Sequence, residues 1–91
     1  MKRYRIVLSK SAAKELDRLT SKSHDKIIAR LHDLQADPRL QGSGKLRGIN
    51  AYKLRVGNFR IVYQIDDAEK EVRIVMVEDR KQVYQRLKRK S

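Results

Sequence analysis

Apolar residues recur along this chain with two different periods, and the change between them divides it into a helical first half and a sheet-forming second half. From Arg3 to Leu8 apolar and polar residues alternate. Tyr4, Ile6 and Leu8 share one side, Arg3 and Arg5 the other, which predicts a short strand. Ser9 or Ser11 then offers a helix N-cap, and Ala12, Leu16 and Leu19 follow at helical spacing to about Thr20. Ser21 or Ser23 is placed to cap a second helix, in which Ile27, Ile28, Leu31 and Leu34 form one stripe before Pro38 forbids continuation. Arg39 to Gly44, with Gly42, Ser43 and Gly44, reads as a flexible loop.

From Lys45 onward the period becomes that of a strand. Tyr52–Val56 and Phe59–Ile65 are separated only by Gly57 and Asn58, a two-residue connection whose glycine supplies the positive φ of a tight hairpin turn. Asp66 to Lys70 predicts another turn, Glu71 to Val77 another strand, and Arg80 to Lys90 a short basic helix or tail. The order βααβββα implies an α+β fold: a twisted, mostly antiparallel four-stranded sheet with a two-helix hairpin packed on one face. The length of 91 residues predicts one domain spanning residues 1–91.

Taking Gly57 and Asn58 as the turn fixes a register. Val56 faces Phe59, Arg55 faces Arg60, Leu54 faces Ile61 and Lys53 faces Val62. Alternation then sends Tyr52, Leu54, Val56, Phe59, Ile61 and Tyr63 to the core and gathers Lys53, Arg55 and Arg60 on the opposite face. Two guanidinium groups directly opposite one another weaken a free sheet. Any one of these cations is unremarkable on a solvated face, but three together suggest a shared use. Arg80 follows the last strand, and Tyr84 lies about one helical turn beyond it, where a ring among cations suits stacking on an unpaired base.

Composition sharpens that picture. Twenty-three lysines and arginines against eleven acids give a formal net charge of +12, an excess suited to nucleic acid, an acidic protein, or both. The absence of cysteine excludes disulfides, a thiol nucleophile and cysteine-ligated metals. No apolar run approaches the ~20 residues of a membrane-spanning helix, and the first residues do not form a signal peptide, so a cytoplasmic protein with no membrane partner is expected. His24 and His32 both fall on the second helix, away from the cations, which argues against a paired-histidine ribonuclease. The acids show no metal-ligand spacing, and no cofactor is expected.

The runs Leu8-Ser9-Lys10-Ser11-Ala12-Ala13-Lys14-Glu15-Leu16, Leu34 with Asp37-Pro38-Arg39, Lys45-Leu46-Arg47-Gly48, Tyr52-Lys53-Leu54-Arg55-Val56-Gly57-Asn58-Phe59-Arg60-Ile61-Val62-Tyr63 and Asp79-Arg80-Lys81-Gln82-Val83-Tyr84 together cover nearly the whole chain. In this order and spacing they resemble RelE-type toxins of the RelE/ParE superfamily. The resemblance implies a RelE-like fold and the toxin of a type II toxin–antitoxin system. Its activity would be ribosome-dependent, metal-independent cleavage of mRNA in the ribosomal A site by attack of the 2′-hydroxyl.

Carried over by position, Lys53, Arg55, Arg60, Arg80 and Tyr84 match the family's catalytic set, with Lys45, Arg47 and Lys81 as further RNA contacts. The expected partners are a cognate antitoxin with an acidic or amphipathic segment, the ribosome and mRNA, and operator DNA only through the toxin–antitoxin complex. Two departures stand out. Arg55 occupies the place where some relatives carry a lysine as base, and arginine scarcely gives up its proton, so the base is left open between Lys53 and Tyr84. Glu78 and Asp79 precede Arg80 where relatives often have glycine with a basic residue, and are read as solvated strand-end acids, partners of Arg80, or a base. Two alternatives share the fold: a ParE-like inhibitor of DNA gyrase, and a catalytically degenerate binding or co-repressor protein.

Overall fold

A computed structural model describes residues 3–79. Its elements run β1 (Arg5–Leu8), α1 (Lys10–Arg18), α2 (Ser21–Ala36), β2 (Ser43–Lys45), β3 (Tyr52–Val56), β4 (Phe59–Asp66) and β5 (Glu71–Asp79). The sheet order is β1-β5-β4-β3-β2, with β1 parallel to β5 and every other pairing antiparallel.

The sheet therefore has five strands rather than four. Ser43–Lys45, expected to lie largely within a loop, is an edge strand paired with Tyr52–Leu54. Three residues including a glycine carry no apolar alternation, so this strand is invisible until its partner is in place. The anticipated C-terminal helix, with Arg80, Lys81 and Tyr84, lies outside the described residues.

Ser9 caps α1 by accepting from the Ala12 amide at 3.0 Å, while its hydroxyl donates to the Val75 carbonyl at 2.6 Å and so pins the helix start to β5. Helix α1 stops at Arg18, and Thr20 rather than Ser21 or Ser23 caps α2, accepting from the Ser23 amide at 3.3 Å. Of the apolar stripe on α2, Ile27, Leu31 and Leu34 are buried, whereas Ile28 is 38% exposed. Leu8, on the same side of β1 as Tyr4 and Ile6, is 40% exposed because β1 is an edge strand and Leu8 is its last residue.

One face of the sheet supplies Leu54, Val56, Ile61, Tyr63, Val72, Ile74 and Val77 to the core, which Ala12, Leu16, Ile27, Leu31 and Leu34 close from the helical side. Each large aliphatic side chain so buried contributes about 1.5–3 kcal/mol. The Tyr63 hydroxyl donates to the Pro38 carbonyl at 2.8 Å, and its ring stacks on Tyr52 at 5.8 Å. Burial pushes the Tyr63 phenol above its ordinary pKa. Beside this stack, Arg39 donates twice to the Asp67 carboxylate (3.2 and 2.9 Å) and Tyr4 donates to it at 2.6 Å, tying three distant segments together. Those bonds, that from Arg39 foremost, hold the Asp67 carboxyl down at about 2.

Candidate nucleic-acid interface

Gly57 has φ +59° and Asn58 does not share its positive φ, the pattern of a type II′ turn, whose twist matches that of the strands it joins. The turn sets β3 against β4 in the register expected from sequence: Val56 opposite Phe59, Arg55 opposite Arg60, Leu54 opposite Ile61, Lys53 opposite Val62. Lys53, Arg55 and Arg60 are exposed, and they share the face turned away from the helices.

Strand β5 adds an acid to this row. A one-residue bulge interrupts its pairing with β4, so that Val62 faces Met76 while Tyr63 faces Ile74. The shift brings Glu78 opposite Arg60, completing a row Arg55, Arg60, Glu78 across three strands. Arg60 donates from both Nε (3.0 Å) and Nη2 (2.5 Å) to the same oxygen, Oε2 of Glu78. The side chains of Lys53 and Arg55 have no ion-pair or hydrogen-bonding partner among the described residues. Gly44 sits opposite Lys53, and a Cβ there would meet the Lys53 stem at 4.0 Å, so the long side chain crosses the edge strand where no side chain obstructs it.

An apolar belt adjoins the cations: Val62, only 8% exposed, with half-buried Met76 beside it. Beyond the belt lies a second charged group in which Glu71 accepts from Arg73 (2.6 Å) and from Arg5 (2.5 Å), with Asp66 at 3.8 Å from Arg73. The Arg73 and Arg5 bonds hold the Glu71 carboxyl below its ordinary range. This group balances its own charge. The row around Arg55 does not, and one face of the sheet therefore carries a cationic end, an apolar middle and a neutralised end.

The remaining candidates are dispersed. Lys45 is in register with Tyr52 and so starts on the helical side of the sheet, opposite to Lys53. Arg47 is exposed in the β2–β3 loop, which Leu46 and Ala51 close with a backbone bond of 2.9 Å. His24 and His32 lie on α2, across the sheet from the cations. No three acidic or histidine side chains converge as a metal-binding group among the described residues, and no described helix is long and apolar enough to cross a membrane.

Sequence reasoning missed the partnership of Arg60 with Glu78. Counting back from the Asp66–Glu71 turn without the bulge puts Val77 opposite Arg60, and nothing in the residues of β5 announces the extra one. What the face offers chemically is a set of fixed donors for anionic oxygens: one guanidinium held in place, with a second guanidinium and an ammonium beside it.

A family model described as the ParE toxin of type II toxin–antitoxin systems matches residues 6–84. Among solved structures, the Mycobacterium tuberculosis RelBE2 toxin–antitoxin complex has a chain 26% identical, with a TM-score of 0.77, the match covering 86% of this chain and 99% of that one. The intact Escherichia coli RelBE complex gives 30% identity and a TM-score of 0.73 over 84% of this chain and 95% of its counterpart. The isolated E. coli RelE toxin gives 27% identity and 0.75 over 96% and 97%. No curated protein matches by sequence.

Proposed function

Because the chain belongs to the RelE/ParE superfamily of type II toxins, we propose that it is a ribosome-dependent mRNA endoribonuclease whose cleft is the outer face of the β3–β4 hairpin. The observation that carries this reading is the convergence of Lys53, Arg55 and Arg60 on one exposed face, with Lys53 and Arg55 unpaired among the described residues. In this reading residues 1–91 form one cytoplasmic domain. Its partner is a cognate antitoxin, as in the RelBE complexes that it resembles, and it reaches operator DNA only through that partner.

The reaction breaks the P–O5′ bond. The 2′-oxygen loses its proton to a base and attacks the adjacent phosphorus, and the 5′-oxygen leaves with a proton from a donor, giving a 2′,3′-cyclic phosphate and a 5′-hydroxyl. Arg60 and Arg55 stabilise the charge that accumulates on the nonbridging oxygens of the phosphorane. Lys53 or Tyr84 serves as base, Arg80 stands by the leaving oxygen, and Tyr84 orients the base of the RNA. Arg47 and Lys81 add phosphate contacts at the periphery, and Lys45, which starts on the opposite side of the sheet, takes no part in the cleft.

Induced expression tests this directly. Growth and translation should stop, and primer extension should reveal breaks within translated codons. Arg60→Ala should lower cleavage by about 10²–10³, and the Arg60→Ala, Arg80→Ala double variant should leave mRNA intact. Cleavage by that double variant would refute the assignment.

The ParE family model favours one second reading, inhibition of DNA gyrase by a binding surface. Induction of the DNA-damage response with mRNA left whole would select it.

A further inference from the structure

The carboxylate of Glu78 occupies the Nε–Nη2 side of Arg60, the side from which a guanidinium most readily grips an oxyanion. Glu78 stands directly opposite Arg60 on β5, with the pair only partly exposed (46% and 27% of the two side chains). On the other side of Arg60 stands Arg55, a like charge. The acid thus does two things at once. It offsets the repulsion along the row, and it fills the position a bound phosphate would take.

We propose that Glu78 is an internal stand-in for phosphate: it positions the Arg60 guanidinium and sets the affinity of the face, because an incoming RNA phosphate must displace it. This rests on the reading of the outer face as RNA-binding. The carboxylate is attached to the fold and always present at high local concentration, so a single phosphate at Arg60 competes poorly. A strand that also engages Lys53 and Arg55 supplies the additional contacts that win the exchange. The face therefore selects consecutive phosphates over isolated anions.

The experiment is equilibrium binding of a fluorescent oligouridine to the purified full chain across a range of salt concentrations, with thermal melting to confirm folding. Glu78→Gln keeps the shape and removes the charge. It should tighten binding on the order of three- to tenfold and steepen the slope of log affinity against log salt by up to about 0.7, because the wild type sets a carboxylate free, which draws back a cation, as the phosphate takes its place and the variant does not. Glu78→Asp, which keeps the charge, should not tighten binding. In an Arg60→Ala background the gain from Glu78→Gln should vanish, as a double-mutant cycle requires of a contact acting through Arg60.

A merely structural Glu78 gives a lower melting temperature and unchanged affinity and slope, which overturns the proposal. A gain that survives Arg60→Ala overturns it as well. If Arg60→Ala itself leaves RNA binding unaltered, the outer-face reading fails along with it. If Arg60→Ala weakens binding while Glu78→Gln does not strengthen it, only the role of Glu78 falls.

Discussion

Arg55 and Arg60 stand directly opposite one another across the β3–β4 hairpin, two guanidinium-bearing side chains on the same exposed face. Like charges in that position cost the sheet stability, and Glu78 answers only one of them. Arg55→Gln should therefore raise folding stability by about 0.2–1 kcal/mol in urea denaturation while weakening oligouridine binding. Opposite signs in the two measurements mark a residue kept for binding. A loss in both would make Arg55 an ordinary packing element.

Tyr63 makes a different kind of demand. Its ring is fully buried and its hydroxyl serves the Pro38 carbonyl just beyond α2. Tyr63→Phe keeps the ring and orphans that carbonyl, so we expect a loss of about 1–2 kcal/mol in denaturant midpoint analysis. Little change in RNA binding should accompany it, because Tyr63 lies on the helical side of the sheet.

The hairpin turn can be tested through Gly57. Nothing lies within 4 Å of where a Cβ would sit, so the cost of Gly57→Ala comes from the backbone angle of +59° alone. About 1–2 kcal/mol of destabilisation is expected. Since the same turn sets Arg55 against Arg60, oligouridine affinity should fall with it, read by fluorescence anisotropy at a temperature where the variant stays folded.

Asp67 gives the pH dependence its sign. Its carboxyl titrates at about 2 in the fold against 3.8 ordinarily, with the Arg39 bonds as the main cause. A depressed carboxyl contributes stability in full above its ordinary value and loses it as pH falls through the folded one. The difference in melting temperature between wild type and Asp67→Asn should thus be largest above pH 3.8 and shrink toward pH 2. Because these groups are exposed, added salt should shrink it too.

The parts of this fold legible in the sequence are those written in local chemistry. Gly57 and Asn58 announce their turn, and from the turn the register of Lys53, Arg55 and Arg60 follows by counting. Ser9 and Pro38 bound the helical half in the same local way. What escapes is whatever depends on a partner far away in the chain. Ser43–Lys45 becomes a strand only because Tyr52–Leu54 lies beside it, and the side of the sheet on which Lys45 falls follows from that pairing. The bulge in β5 is a second case. Strict alternation from Ile74 would turn Met76 inward and Val77 outward, whereas the extra residue reverses that phase, buries Val77 and delivers Glu78 to Arg60.

The parallel pairing of β1 with β5 has its own outcome in time. Arg5 and Glu71, 66 positions apart, are neighbours in the finished sheet, so the first strand to be translated must wait for the last described one. At roughly 5–20 residues per second that interval is about 3–13 s, during which β1 has no companion and the scaffold beneath the cations is incomplete. A premature stop anywhere before Glu71 leaves an unfinished sheet, so the face that carries the cations gains its full support only once β5 has been made.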